Sequence, residues 1–383
     1  MKEIYLDNGA TSFPKAPEVA KSMVNYLKNI GCNINRGAYT SSFEAENIVF
    51  ETRELICKLF HFDKCENVVF TKNITESLNV LIKGILREND HVIVSSMEHN
   101  AVMRPIHALE EKGITFSRVP CNRSGELNAE DIKKYIKPNT KVVVMTHASN
   151  VCGTILPLEE IGKICKEHDL YFIIDTAQTA GFLEIDYKRL GVDAIAFTGH
   201  KGLLGPQGMG GFIINDALAE YMKPLIEGGT GSLSEYEKQP CYMPDKFEAG
   251  TMNIPGVYGL NAALKYILKT GIDAIREKEL LLVKRFLEKL KDIPDIRIIG
   301  KKEVEGRTAV VSIDFPLYDN GQISYRLYKE FGIMTRCGLH CAPSAHKTLK
   351  TFPDGTVRFS FSHFNTIEEV DYTIDSIYKC MDQ

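Results

Sequence analysis

The residues able to do chemistry cluster where apolar runs of this chain end. Lys201 follows Thr198 and His200 after DAIAF. Asp175 closes LYFIID, with Gln178 three residues on. Glu98 and His99 follow HVIVSS, and His147, Ser149 and Asn150 follow KVVVMT. Ile74 and Thr75 come just after NVVFT. If those runs are parallel strands, one sheet edge collects hydroxyls, imidazoles, an aspartate, amides and a lysine. Ligands of α/β sheets gather beyond the carboxyl ends of the strands. So many polar groups are costly to bury unless a polar ligand satisfies them. An amine and imidazoles there could serve nucleophilic and proton-transfer work. Taken singly, each has an ordinary alternative: an aspartate ending a strand caps a helix, a lysine after a strand is solvated, and a histidine beside an apolar run is bonded in a core. The glycine-rich turn GLLGPQGMGG could equally cradle a phosphate or simply turn tightly.

The elements that must position these groups alternate along the chain. From residue 67, short β-branched runs (NVVFT, HVIVSS, KVVVMT, LYFIID, DAIAFT, GGFII) are separated by amphipathic stretches. Such runs fit strands buried on both faces, with parallel crossovers between them. LNAEDIKKYIK is expected to be helical, with Asn128 as its cap, and PLEEIGKICKEH is expected to start a helix at its proline. The expected fold class is α/β, with a mainly parallel sheet of about seven strands in a large domain, residues 16–260. A smaller α+β domain follows over 261–383, and segment 1–15 is expected to pack near it. The long charged segment DAIREKELLLVKRFLEKLKDI reads as a linking helix, and 228–250 as a long functional loop.

Composition narrows the class. Of 383 residues, 44% are hydrophobic and 25% charged, and the net charge is −4. That balance is globular, with no electrostatic reason to expect nucleic acid or an anionic membrane as partner. The start, MKEIYLDNGATS, does not read as a signal peptide, and no apolar run approaches a membrane span. The expectation is a cytoplasmic protein. Its ten cysteines are then expected to be reduced, and mostly small core hydrophobes. No CxxC pair occurs, and no metal is expected.

Four segments together carry a resemblance: IIDTAQTAG, TGHKGLLGPQGMG, FEAGTMN and RCGLHCAP. They resemble the class V aminotransferases, and more narrowly the SufS-like cysteine desulfurase and selenocysteine lyase family. The likeness runs from YLDNGAT to VRFSFSHFNT. It implies a fold-type-I enzyme using pyridoxal 5'-phosphate (PLP). Lys201 would form the Schiff base and move protons, and Asp175 would face the pyridine nitrogen. Gln178 would bond the phenolic oxygen, and Asn150 that oxygen or the substrate carboxylate. His99 would stack on the ring and could act as acid or base. The phosphate would sit on the backbone of Ile74 and Thr75, where a helix begins. Thr198, His200 and Thr251, the last from a second subunit of a homodimer, would complete the clamp.

Arg358 resembles the arginine that grips the substrate carboxylate, and Arg336 and Asn35–Arg36 align near the substrate mouth. Cys341 stands where the family places the nucleophile that takes sulfur from L-cysteine and passes it to an acceptor protein, as in iron–sulfur cluster biogenesis. Arg336 and His340 would lower its pKa or accept its proton. Cys337 is assigned no chemical role. Three positions depart from the pattern: Ile74 where a hydroxyl is frequent, Met252 where proline is usual, and Asn35 where histidine is usual. The rival readings are a selenocysteine lyase acting on L-selenocysteine, a C–S lyase or aminotransferase that does not need Cys341, and a PLP-binding scaffold. A metal module on Cys337, His340 and Cys341 would crowd three ligands into one loop.

Overall fold

The structure is a computed structural model that describes residues 3–35 and 37–381; Arg36 lies outside the described residues. β1 (Ile4–Tyr5) is followed by the strands of a seven-stranded sheet: β2 (Val68–Thr71), β3 (His91–Ser95), β4 (Thr115–Val119), β5 (Thr140–Thr146), β6 (Tyr171–Asp175), β7 (Ala194–Thr198) and β8 (Gly210–Ile214). Their order is β2-β8-β7-β6-β5-β3-β4. Strands β3 to β7 pair in parallel, whereas β8 runs antiparallel to both β2 and β7. Thr71, Ser95, Thr146, Asp175 and Thr198 therefore end their strands along one edge.

The apolar runs are continuous because the sheet is covered on both sides. Ile93, Val143, Met145, Phe172, Ile174, Ile195 and Phe197 belong to one core. Val92, Val94, Val142, Val144, Ile173, Ala194 and Ala196, one residue out of step, belong to the other. This is the period-2 alternation of a strand with two dry faces. Helices Thr40–Phe60 and Ile254–Thr270 close the first core through Ile56, Phe60, Leu260 and Leu264. Helices Ile74–Ile85 and Asn100–His107 close the second through Leu78, Leu81, Val102 and Ile106.

The second body is an antiparallel sheet of β9 (Arg297–Ile299), β10 (Val310–Asp314), β12 (Arg336–Gly338) and β13 (Thr356–Ser360), ordered β12-β13-β10-β9. β1 pairs in parallel with β11 (Ile333–Met334), and Asp7 bridges to Ser360. Segment 3–15 thus runs along this body before Ser12 N–H reaches the His200 carbonyl at 2.9 Å. The charged segment forms helix Ile272–Leu290, and 222–253 holds neither helix nor strand.

One element differs from expectation. Residues Ala129–Tyr135 form a 3-10 helix rather than an α-helix. Asn128 does cap it, but by accepting the Glu130 N–H. Only nine residues separate Asn128 from Pro138, and the ion pairs Lys133–Glu130 and Lys134–Asp131 are spaced i, i+3, which suits three residues per turn.

Gly210 lets β8 lie against the start of helix Ile74–Ile85. A Cβ there would fall 2.7 Å from the Asn73 backbone carbons and 3.0 Å from Ile74 N. Gly210→Ala should cost about 1–3 kcal/mol in urea unfolding, because backbone must shift. Gly229→Ala, which meets nothing within 4 Å, should stay within about 0.5 kcal/mol.

Candidate active site

Lys201 stands in the turn after β7, and its backbone is fixed from outside the sheet. The preceding carbonyl, of His200, accepts from Ser12 N–H (2.9 Å), Lys15 Nζ (2.9 Å), Thr11 Oγ1 (3.1 Å) and Ser12 Oγ (3.2 Å). Burial pushes the Lys201 amine down to about 8. Asp175 and Asp7 act the other way, and Arg358 and Arg336 add to the depression. Asp175 is 3% exposed. Its Oδ1 accepts the Ala177 N–H at 2.8 Å, and burial raises its carboxyl despite the Lys201 charge. Gln178 Nε2 donates to the Gly9 carbonyl at 3.0 Å, joining this edge to the N-terminal segment.

His99 caps helix Asn100–His107: its Nδ1 accepts the Ala101 N–H at 2.9 Å. A neutral ring so bonded carries its proton on Nε2. Burial, then the Lys201 and Arg358 charges, press His99 down to about 4, so the ring is neutral near pH 7. Just before it, Glu98 is buried, and both its carboxylate oxygens accept the Thr146 N–H at 3.0 Å. This ties the turn after β3 to the end of β5, and burial raises Glu98 to about 8.

At the start of helix Ile74–Ile85, Asn73 Oδ1 accepts the Glu76 N–H at 3.0 Å, and Glu76 Oε2 accepts the Lys72 N–H at 2.6 Å. The cap leaves the N–H groups of Ile74 and Thr75 open to an anion. The Ile74 side chain is in the core, so a hydrophobe here anchors the helix while its backbone stays available. Among the described residues, the buried Thr198 Oγ1, His200 Nδ1, His340 Nδ1 and Arg358 Nε have no hydrogen-bond partner. The orphaned Thr198 Oγ1 and His200 Nδ1 at the end of β7 fit an anionic, polar ligand such as a pyridine phosphate, because leaving them unpaired is costly. Burial holds His200 near 4, so its ring is neutral as well.

Arg358, 2% exposed in β13, donates to the Asn150 carbonyl at 3.0 Å and to Asp7 Oδ1 at 3.1 Å. Asn150 in turn gives its side-chain N–H to the His340 carbonyl at 2.7 Å, and Asn100 N–H binds the Cys341 carbonyl at 2.8 Å. The cysteine loop is thereby hung from the ends of β5 and from the His99 helix. All ten cysteines are free. Four are buried in the core and four half-buried against it, as expected of small hydrophobes; Cys241 and Cys341 are exposed. His340 and Cys341 both have positive φ, 48° and 57°, in the left-handed region that non-glycine residues seldom occupy.

The expected help from His340 needs correction. Its ring turns inward, with Nε2 at 3.1 Å from Thr356 Oγ1. Burial and the two arginines press it to about 2, so it carries no positive charge to offer the thiol. Arg336 is within electrostatic reach of Cys341. Cys337 lies in β12, half-buried, and burial raises its thiol.

Two expected residues are not gathered here. Arg36 lies outside the described residues. Thr251, expected to act from a second subunit, is exposed and lines a cavity of about 710 Å³ with Asn35, Arg53, Thr71, Lys72, Glu76 and Met252, next to the start of helix Ile74–Ile85. Two residues join the site that the motifs did not single out: Asp7 and Lys15. Both lie in the N-terminal segment with no local pattern to mark them, whereas Glu98 was visible at a strand end.

The comparisons with known proteins bear on the family and the fold. Residues 4–373 match the Aminotransferase class-V family. A probable cysteine desulfurase of Pyrococcus abyssi is 36% identical over 96% of this chain and 92% of its own length. One from Methanothermobacter thermautotrophicus is 32% identical over 96% and 92%. Among solved structures, the apo cysteine desulfurase of Thermococcus onnurineus superposes with a TM-score of 0.91 at 34% identity, covering 98% of this chain and 94% of that one. The cysteine desulfurase CsdA of Escherichia coli gives 0.88 at 26% identity, over 99% and 94%. The chain belongs to the class V aminotransferase family, in its fold type I form, and its homologues over nearly the full length are cysteine desulfurases.

Proposed function

We propose that this protein is a PLP-dependent cysteine desulfurase that converts L-cysteine to L-alanine and takes the sulfur as a persulfide on Cys341. The observation that carries the reading is the placement of Cys341: an exposed thiol whose loop is bonded to Asn100 and Asn150, within electrostatic reach of Arg336, one of the two arginines whose charges the Lys201 amine feels. Lys201 would hold the cofactor covalently, Asp175 its ring nitrogen, and Gln178 and Asn150 its phenolic oxygen or the substrate. Ile74 N–H, Thr75 N–H, Thr198 Oγ1 and His200 would receive its phosphate. When bound, the cofactor supplies an electron sink for charge developing at the substrate carbons.

The chain's own residues do the rest. Arg358 holds the substrate carboxylate. The neutral ring of His99 covers the site and offers its Nε2 proton. Lys201, its amine depressed toward neutrality, holds or moves a proton at Nζ. Cys341 attacks the substrate sulfur as thiolate: an S–S bond forms and the C–S bond breaks. The C–S electron pair stays with the carbon fragment, which takes a proton and leaves as L-alanine. An acceptor protein then takes the sulfur from the exposed loop. A homodimer is supported by the large apolar side chains Tyr39, Phe43, Phe50, Leu225 and Ile226, all exposed in the single chain. Phe50, Leu225 and Ile226 line the same cavity as Thr251. Among the described residues no helix is long and apolar enough to cross a membrane.

Three outcomes are expected. Cys341→Ala should keep the yellow colour of bound PLP and its borohydride attachment to Lys201. It should lose L-cysteine turnover by on the order of a hundredfold or more. Alanine production at the parent rate contradicts the role. Second, a neutral amine is needed to attack a carbonyl carbon, and Lys201 lies near 8. The rate at which the apo chain takes up PLP, followed by absorbance, should rise as pH passes about 8 and then level; a rate independent of pH there contradicts it. Third, light scattering should report twice the mass of one chain, and Phe50→Glu should give monomers; a parent protein that is monomeric while active contradicts the dimer.

A further inference from the structure

The Cys341 loop rests on two buried imidazoles. His340 and Cys341 are successive non-glycine residues in the left-handed region, at φ 48° and 57°. Such a turn is costly and persists only where its surroundings over-determine it. Its two carbonyls are held from the large body, by the Asn150 side chain at 2.7 Å and the Asn100 N–H at 2.8 Å. A second support comes from within the small body. His346, in helix Pro343–Leu349, is fully buried. Its ring centroid lies 5.5 Å from that of His340, with the planes at 41°. Each ring is held through a single hydroxyl: His346 Nδ1 is 2.7 Å from Thr351 Oγ1, and His340 Nε2 is 3.1 Å from Thr356 Oγ1. The remaining nitrogens, His346 Nε2 and His340 Nδ1, have no hydrogen-bond partner among the described residues. Burial presses His346 to about 4 and His340 to about 2, so the rings pack as neutral groups near pH 7. The inward neighbours of His346 on its helix, Ala345 and Leu349, are apolar and share a small core with Ala342 and Val151. A polar ring is costly in such a place, and its contacts lead to the turn that carries the thiol.

We propose that His346 is a positioning residue for sulfur transfer: held by Thr351 and packed against His340, it fixes the left-handed turn at His340 and Cys341 and so aims the thiol at the substrate sulfur. This rests on the reading of Cys341 as the nucleophile. His346 acts through the loop and touches neither substrate nor cofactor.

The test uses the PLP-loaded protein and reads two steps separately. L-Cysteine binding is followed from the absorbance of the bound cofactor. Sulfur transfer is followed as the single-turnover rate at which Cys341 gains sulfur, by rapid alkylation and peptide mass spectrometry. His346→Phe should slow transfer by on the order of tenfold, because a small misplacement of a reacting group costs rate steeply. Half-saturating L-cysteine should stay within about twofold of the parent, since ground-state binding is untouched. Thr351→Val keeps the side-chain volume and removes the hydroxyl, so it carries the test if His346→Phe does not fold. It should slow the same step, and the double variant should be no slower than His346→Phe, because both changes remove one bond. Thr351→Ser, which keeps the hydroxyl, should transfer at the parent rate. Amide exchange over residues 339–342, which needs no turnover, should quicken in His346→Phe and Thr351→Val. Transfer at the parent rate in either variant, L-cysteine binding lost in step with transfer, or unchanged exchange overturns the proposal. Parent protein that makes alanine with no sulfur on Cys341 refutes the desulfurase reading instead, and the exchange measurement still decides whether His346 holds the turn.

Discussion

Arg358 is the contact on which the site depends. It belongs to the four-stranded sheet, yet one of its nitrogens is spent on the Asn150 carbonyl beyond β5 and another on Asp7 of the N-terminal segment. Three parts of the chain meet at one buried guanidinium. Removing a partner from such a buried pair typically costs about 3–5 kcal/mol, because the remaining charge is left uncompensated. The cysteine loop is built on the same junction, since Asn150 also holds the His340 carbonyl. Asn150 thus helps to place both Arg358 and the loop of the proposed nucleophile, alongside the bonds from Asp7 and Asn100.

The same N-terminal segment reaches the lysine. Its first residues pair with the small body through β1 and β11. A few residues later Thr11, Ser12 and Lys15 converge on the His200 carbonyl beside Lys201. Asp7 is also among the charges felt by the Lys201 amine. Electrostatics and backbone thus run along one strap from the arginines to the amine. The histidines of the site are kept neutral by burial, which leaves the Lys201 amine and the Glu98 carboxyl, both near 8, as groups that change protonation close to neutral pH.

What was legible in the sequence was local. Asp175, Lys201, His99 and Asn150 each follow a strand whose apolar run is unmistakable, and the parallel crossovers place all four on one edge. The free N–H groups at Ile74 and Thr75 could be anticipated from the same pattern. Contacts between distant segments could not: Asp7 meets Arg336 and Arg358 across most of the chain, and nothing in YLDNGAT specifies that pairing. His340 was misread for a related reason. Its nearness in sequence to Cys341 suggested help to the thiol as a charge or as a proton acceptor, whereas the left-handed turn at 340 and 341 sends the ring inward to Thr356 and the thiol outward. The 3-10 helix at Ala129–Tyr135 turns on a balance between short length and i, i+3 ion pairs that composition alone does not resolve.

The central claim is that sulfur leaves L-cysteine by direct transfer to the exposed thiol of this junction. It is tested most directly by a single turnover of PLP-loaded protein with one equivalent of L-cysteine, rapid alkylation, and peptide mass spectrometry. The account predicts one additional sulfur atom on the peptide carrying Cys341, in proportion to the alanine formed. Alanine released with the extra sulfur on Cys337 or another thiol, or with free sulfide and an unmodified Cys341, would contradict it.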